Sequence, residues 1–201
     1  MLIAKICLIA VAGYLLGSVS ASIILSRAAL GKDVREEGSG NAGATNMTRV
    51  FGWKAGVITL LGDMFKAGAA TLLGYLLLGD LGLSIGGIAC MTGHCFPVFH
   101  SFKGGKVISV GAAIGLAIDW RVFVFIIIAF LIVALLTRKV SAGSMTAAVA
   151  ITVSSILFAV STPKLILAIC AMCLALFQHR ENFKRLLKGT EPDFKAGKEK
   201  M

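Results

Sequence analysis

The chain has 201 residues, of which 57% are hydrophobic and only 15% charged, with a mean hydropathy of +0.89. Soluble globular domains carry about a quarter charged residues, so this composition excludes one and predicts a polytopic, all-α integral membrane protein, a single domain over 1–201. Lys and Arg number 20 against 10 Asp and Glu. The net charge of +10 suits nucleic acid, anionic lipid or an anionic substrate, and the placement of the charges decides among them.

Apolar runs cover, in chain order, residues 2–25, 55–78, 81–99, 107–118, 122–136, 142–160 and 165–177. A hydrocarbon core of about 30 Å needs about 20 helical residues, so the fourth, fifth and seventh runs borrow neighbours or thin the bilayer. The alternative joins the fourth and fifth runs across Asp119, Trp120 and Arg121, which reverses the side of everything downstream. The positive-inside rule separates the two. Seven spans put 16 Lys/Arg, in three loops and the tail from Arg180 to Lys200, on one side against 2, Arg121 and Lys164, on the other. Joined runs leave the sides nearly even. Seven transmembrane helices are therefore predicted, with the N-terminus outside and the tail in the cytoplasm. Lys5 and Val19-Ser20-Ala21 resemble parts of a signal peptide, but cleavage would leave the basic 27–54 loop outside, so the first run is read as a retained span. Cys7, Cys90, Cys95, Cys170 and Cys173 lie in or beside apolar runs. Although Cys170 and Cys173 have C-x-x-C spacing, no second ligand pair stands near them, and neither a metal site nor a disulfide is expected.

Three polar segments fall on the predicted cytoplasmic side. The first, GSGNAGATNMTRVFG from Gly38 to Gly52, satisfies G-x-G-x-x-G at Gly38, Gly40 and Gly43, but no strand precedes it, so a dinucleotide fingerprint fails on context. Glycines at these positions permit a backbone nest for anionic oxygen, with donors from Ser39, Asn41, Thr45 and Asn46 and a charged fork from Arg49. A flexible loop leading to a helix cap at Thr45 or Asn46 is the other reading. The second segment, GHCFPVFHSFKGGK from Gly93 to Lys106, lacks the first Gly and the Ser/Thr of a Walker A loop. Lys106, following two glycines at the start of the fourth span, adds its charge to the positive end of a helix dipole, which is unfavourable unless an anion is present. Lys103 fits a snorkelling interfacial lysine. The third segment, HRENFKRLLKGTE from His179 to Glu191, has Lys184, Arg185 and Lys188 as a basic amphipathic stretch suited to anionic headgroups, whereas His179 and Asn182 share a face where the last span leaves the bilayer. Within the second span Asp63 and Lys66 are costly in lipid, and their i,i+3 spacing allows an internal ion pair or a role in shaping the site.

Together, SGNAGATNMTR (Ser39–Arg49), Gly93-His94 with FKGGK (Phe102–Lys106), and HRENFKRLLKGTE resemble the bacterial acyl-phosphate:glycerol-3-phosphate acyltransferases, seven-span enzymes of phospholipid synthesis, and the likeness covers most of the chain. After GGK that family usually reads glycine and a V-A-T-like run, where this chain has Val107, Ile108, Ser109 and Val110. The resemblance implies transfer of a fatty acyl group from acyl phosphate to the 1-hydroxyl of glycerol 3-phosphate, giving lysophosphatidic acid and phosphate, in the bacterial cytoplasmic membrane with the site on its inner face. It carries phosphate binding to Ser39, Gly40, Asn41, Gly43 and Thr45, and charge stabilisation to Arg49 and Lys106, with His179 and Asn182 completing the pocket. It implies no cofactor and no nucleic acid, only the two substrates, membrane lipids and a soluble acyl-phosphate-producing enzyme as partners. The proton of the attacking hydroxyl goes either to the leaving phosphate or to His179. No H-x-x-x-x-D pair of the acyl-CoA-dependent enzymes is present. A transporter of organic phosphates is the competing class; it predicts internal repeats and charges near the midplane, whereas no repeat is found and the polar residues gather at one face.

Overall fold

The structure, a computed structural model, describes residues 1–194. Lys195, Lys198 and Lys200, counted in the basic tail above, lie outside the described residues. Within them the chain is helical and has no strand: α1 (Leu2–Ser18), α2 (Ala21–Leu30), α3 (Ala44–Phe51), α4 (Trp53–Cys95), α5 (Ile108–Ile118), α6 (Trp120–Thr137), α7 (Val140–Leu157), α8 (Thr162–Gln178) and α9 (Arg180–Leu187), with single 3₁₀ turns at Val34–Glu36 and Val98–His100.

The first apolar run is interrupted at extended Val19, after which Ser20 caps α2 by accepting from the Ile23 N–H. α4 is continuous in hydrogen bonding but not in direction. Leu78 and Gly79 leave helical geometry, Gly79 at φ 59°, and residues 53–77 and 80–95 become antiparallel arms. Their separation is set by backbone: a Cβ on Gly74 would lie 2.0 Å from the Gly82 carbonyl oxygen, and one on Gly86 2.4 Å from that of Ala70. α1 runs parallel to the second arm with equal intimacy, since Cβ atoms at Gly17 and Gly93 would each lie 2.2 Å from a carbonyl oxygen, of Cys90 and Tyr14 respectively. Small residues at helix seams, with Leu61, Phe65, Leu76, Leu131 and Leu135 exposed on the outside, are the arrangement expected where lipid solvates the exterior and close packing must hold helices together.

The fourth and fifth apolar runs are separate helices. Asp119 is extended and its carboxylate accepts from the Arg121 N–H at 2.8 Å, and α6 folds back so that a Cβ on Gly115 would meet Ile126 at 2.7 Å. By length and apolarity four helical segments suffice to cross a bilayer, or five when the α8–α9 pair, bent by 58°, is taken as one. The two arms of α4 fall within a single one of these segments, and α5, with 11 residues, is too short alone. Every polar segment singled out in the sequence gathers at one end of the bundle, where α3, the 95–108 connection and the α8–α9 bend meet.

Candidate active site

The Gly31–Gly43 loop is built around two side chains. Asp33, almost buried, accepts from Arg27 Nη2 at 2.7 Å, from Arg35 Nη2 at 2.8 Å and from the Arg35 backbone N–H at 2.9 Å. The hydrogen bonds from Arg35 come first among the causes that hold its carboxyl well below the usual range. Arg35 Nη1 then donates to the His100 carbonyl at 2.9 Å, tying this loop to the next. Asn46, from α3, accepts from the Ser39 N–H at 2.9 Å and donates to the carbonyls of Val34 and Glu37 at 3.1 and 3.0 Å.

The geometry differs from the sequence expectation at four points. The amide donors of Asn46 are spent on the loop rather than offered to a ligand. The N–H groups of Ser39, Gly40 and Gly43 likewise bond inside the segment, to Asn46 Oδ1, Glu37 O and Asn41 O, so the predicted three-glycine nest does not form. Gly40, with φ 70°, serves the turn and does not line the cavity described below. The N-cap of α3 is Gly43 instead of Thr45 or Asn46. The backbone N–H groups of Ala44 and Thr45, in the first turn, and the Thr45 hydroxyl have no protein partner among the described residues.

The second loop is pressed against the end of α4. The Gly104 and Gly105 N–H groups donate to the carbonyls of Cys95 and His94 at 3.2 and 3.0 Å. Neither glycine has room for a side chain: a Cβ at Gly104 would lie 2.0 Å from the His94 carbonyl oxygen, and one at Gly105 2.2 Å from His94 Nε2. Val107 then takes φ 73°, left-handed backbone that costs a β-branched residue about 1–2 kcal/mol. The Val107 side chain is fully buried, and that burial offsets the strain. Two residues before α5 begins, Lys106 projects into the site and donates to Asn182 Oδ1 at 2.6 Å. Burial, followed by the charge of Arg185, lowers its pKa.

The third contribution comes from the α8–α9 bend. His179 ends α8 and its Nδ1 lies 2.8 Å from the Ala175 carbonyl oxygen. A carbonyl only accepts, so Nδ1 carries the proton and Nε2 presents a lone pair. Burial is the first cause that lowers this imidazole to about 4, so it is neutral at pH 7. Asn182, one turn on, donates to Glu191 Oε1 at 2.8 Å. Glu191 also accepts from Ser141 Oγ at 2.6 Å and Arg185 Nε at 2.7 Å. Burial alone would raise its pKa, but these three hydrogen bonds and the Arg185 charge outweigh burial and lower it. Lys139 donates to the Glu191 carbonyl. The sequence reading had not singled out Ser141 or Glu191, and had placed Arg185 only in a basic tail.

Ser39, Asn41, Gly43, Thr45, Asn46, Arg49, Lys106, His179 and Asn182 all line one cavity of about 1390 Å³. Arg49 is half-buried there and makes no hydrogen bond or ion pair among the described residues. Beyond the polar end the cavity continues along an apolar wall of α6 and α7, including Ile127, Phe130, Leu131, Ala147 and Ile151. No group of three or more His, Cys, Asp or Glu among the described residues is placed to hold a metal.

The glycerol-3-phosphate acyltransferase family model matches residues 7–189. The chain belongs to the glycerol-3-phosphate acyltransferase family. Similar curated members include those of Thermoanaerobacter pseudethanolicus, 39% identical over 184 residues that cover 92% of this chain and 93% of the relative, and of Bacillus subtilis, 36% identical over 190 residues that cover 94% and 98%. The fold is that of a crystallised family member, the integral membrane enzyme PlsY in its glycerol 3-phosphate form. That match has a TM-score of 0.90 at 33% identity over 94% of this chain and 96% of that one. A lysophosphatidic acid form of PlsY matches with a TM-score of 0.87 at 32% identity, over 94% and 95%.

Proposed function

We propose that this acyltransferase moves a fatty acyl group from acyl phosphate to the 1-hydroxyl of glycerol 3-phosphate, releasing lysophosphatidic acid and inorganic phosphate. The observation that carries the reading is one cavity with two halves: a cationic end holding Arg49 and Lys106, and an apolar sleeve between α6 and α7. Two phosphate-bearing substrates, one with a fatty chain, need both halves at once. An acyl phosphate is a mixed anhydride with a good leaving group, so orientation and anion stabilisation matter more than a covalent nucleophile.

Arg49 and Lys106 supply charge to the phosphates, and the Ala44 and Thr45 N–H groups with the Ser39, Asn41 and Thr45 side chains supply neutral donors. The glycerol O1 attacks the acyl carbon, the bond from that carbon to the phosphate oxygen breaks, and the electron pair leaves with phosphate. His179 Nε2, the bare nitrogen of a neutral ring, accepts the hydroxyl proton; the leaving phosphate is the other acceptor. Gly40 and Asn46 act by holding the loop. Asn182, fixed by Glu191, orients Lys106.

The proposal includes seven crossings, α1–α2, the two arms of α4, α5, α6, α7 and α8, with the polar end on the cytoplasmic side of a bacterial inner membrane and the N-terminus outside. The bias of basic residues towards that end supports the orientation. A soluble enzyme that makes acyl phosphate is the partner the donor requires. Membrane-impermeant thiol labelling of single cysteines at Ser39, Lys103 and Lys188 tests the topology; labelling of any one from the outside contradicts it.

For the reaction, the purified chain is given acyl phosphate and labelled glycerol 3-phosphate. Lysophosphatidic acid forms in the unmodified protein and falls away in folded Arg49→Ala and Lys106→Ala. No product, with phosphate flux in proteoliposomes instead, overturns the reading in favour of a transporter.

A further inference from the structure

One buried group of the cavity wall has no part in the reaction as drawn. His94, near the end of α4, is 5% exposed and lines the cavity. Its Nδ1 lies 3.1 Å from Lys66 Nζ. Lys66 also donates to the Gly17 and Val19 carbonyls at 3.0 and 2.7 Å. Asp63 supplies the counter-charge, its Oδ1 3.0 Å from Lys66 Nζ and 3.7 Å from His94 Nδ1, beyond hydrogen-bond distance of the ring, and its Oδ2 has no hydrogen-bond partner among the described residues. An ammonium has hydrogens to give and no lone pair, so Nδ1 accepts, and the proton of the neutral ring must sit on Nε2.

That Nε2 has no hydrogen-bond partner among the described residues. It stands at the open face of Gly105, where the missing Cβ would be 2.2 Å from it and 3.1 Å from the Ala42 carbonyl oxygen. The Nε2–H therefore lies at the seam of the two loops that frame the cationic end of the cavity, against Gly105, the residue before Lys106. A buried ion pair such as Asp63–Lys66 is a poor stabiliser against well-packed apolar residues, and one inside a membrane span is costly. Holding one tautomer of a neighbouring histidine is a use that apolar residues could not replace.

We propose that His94 is a further substrate-binding residue, whose Nε2–H donates to a phosphate oxygen, and that Lys66, held by Asp63, is the positioning residue that keeps the proton on Nε2. The proposal rests on the acyltransferase reading above, since the oxygen belongs to either glycerol 3-phosphate or acyl phosphate. His94 and His179 then face one cavity as opposite tautomers. The first is a fixed donor that adds no net charge; the second is a fixed acceptor.

The test has two arms. In the first, the full chain in detergent is labelled with ¹⁵N-histidine and the His94 signals are assigned by their loss in His94→Gln. Nδ1 is expected bare and Nε2 protonated, the Nε2–H resonance moves on adding glycerol 3-phosphate or inorganic phosphate, and Lys66→Met mixes the tautomers. A ring protonated on Nδ1, or an Nε2–H that neither anion moves, overturns the proposal. In the second arm, His94→Leu raises KM by about tenfold or more with little change in kcat, the size expected for one hydrogen bond to a charged group. Whichever substrate shows the rise supplies the oxygen. His94→Gln, which keeps an amide N–H in place, recovers most of that loss; a fall in kcat alone, or equal KM changes in both variants, overturns the proposal. Failure of the unmodified chain to make lysophosphatidic acid strikes the acyltransferase reading instead, and leaves the tautomer arm to be decided on phosphate alone.

Discussion

The two walls of the cavity are held in place by different physics. On the side of α3 and α4 the wall is fixed by contact: Gly104 and Gly105 lie where a single methyl group would overlap His94, and Gly56 lies where one would overlap the Thr48 hydroxyl at 1.8 Å. On the side of α7 and α9 it is fixed by charge and hydrogen bonding, with Glu191 gathering Ser141, Asn182 and Arg185, and Asn182 passing that order to Lys106. The glycine contacts of the first wall have steric tolerances that do not depend on pH. The second is open to solvent conditions. Substitutions and titrations should therefore separate them.

The largest effect belongs to the cations that serve both walls. Removing Arg49 or Lys106 should lower kcat by about 100–1000-fold, the cost of losing a preorganised charge at a transition state, with thermal midpoints in detergent unchanged. On the contact wall, Gly105→Ala should cost about 1–3 kcal/mol of stability by overpacking and displace Lys106, so that turnover and melting temperature fall together. On the hydrogen-bonded wall, Glu191→Ala leaves Ser141 and Asn182 without their acceptor, a loss of about 1–3 kcal/mol. It should lower turnover at pH 7 and the melting temperature together, whereas Glu191→Gln, which keeps an acceptor oxygen, should recover part of both.

The titration of the second wall has a definite sign. The carboxyl of Glu191 is held below its ordinary 4.5 in the folded chain, so its contribution is complete above that value and is lost as pH falls through the folded one. His179 is lowered from 6.5 to about 4. Between those values the unfolded chain takes up a proton that the folded chain refuses, so stability declines as pH drops from 6.5 towards 4. Melting curves across this window should show the decline, and His179→Asn should make it shallower. With His179 as base, kcat should hold through pH 6 and fall only on approaching 4; an acid limb centred near 6.5 would show a solvent-exposed imidazole. The smallest effect concerns Val107. Either truncation loses its buried side chain, but only glycine also relieves the left-handed backbone. Val107→Gly should thus be more stable than Val107→Ala by about 1 kcal/mol, after the entropy that glycine adds.

Much of this was legible before the fold was known. The apolar runs matched the helical arms to within a few residues because a lipid exterior demands unbroken apolar sequence, and the reversal at Leu78–Gly79 fell between two of them. The residues of the three polar segments were recognisable because Gly, Asn, His and Lys have little reason to cluster at span ends. What could not be read was how each donor is spent. Asn46 and the Gly40 amide look like ligand donors in one dimension and become loop braces in three. Glu191 looked like the acidic end of a basic tail, and only the packing of that tail against Ser141 at the start of α7 makes it an anchor. Asp63 and Lys66 announced a pair by their spacing, but the third member, His94, comes from the opposite arm of α4.

The claim that the cationic end and the apolar sleeve form one working site is tested most directly by blocking the sleeve alone. Ala147→Phe narrows it on α7, in the apolar wall of the cavity and not among the residues given to phosphate, and product formation is then compared for a long-chain acyl phosphate and for acetyl phosphate. Turnover of the long-chain donor should collapse while that of the short donor, and KM for glycerol 3-phosphate, stay near the unmodified values. Equal loss for both donors in a folded protein, or no loss for either, would contradict the account.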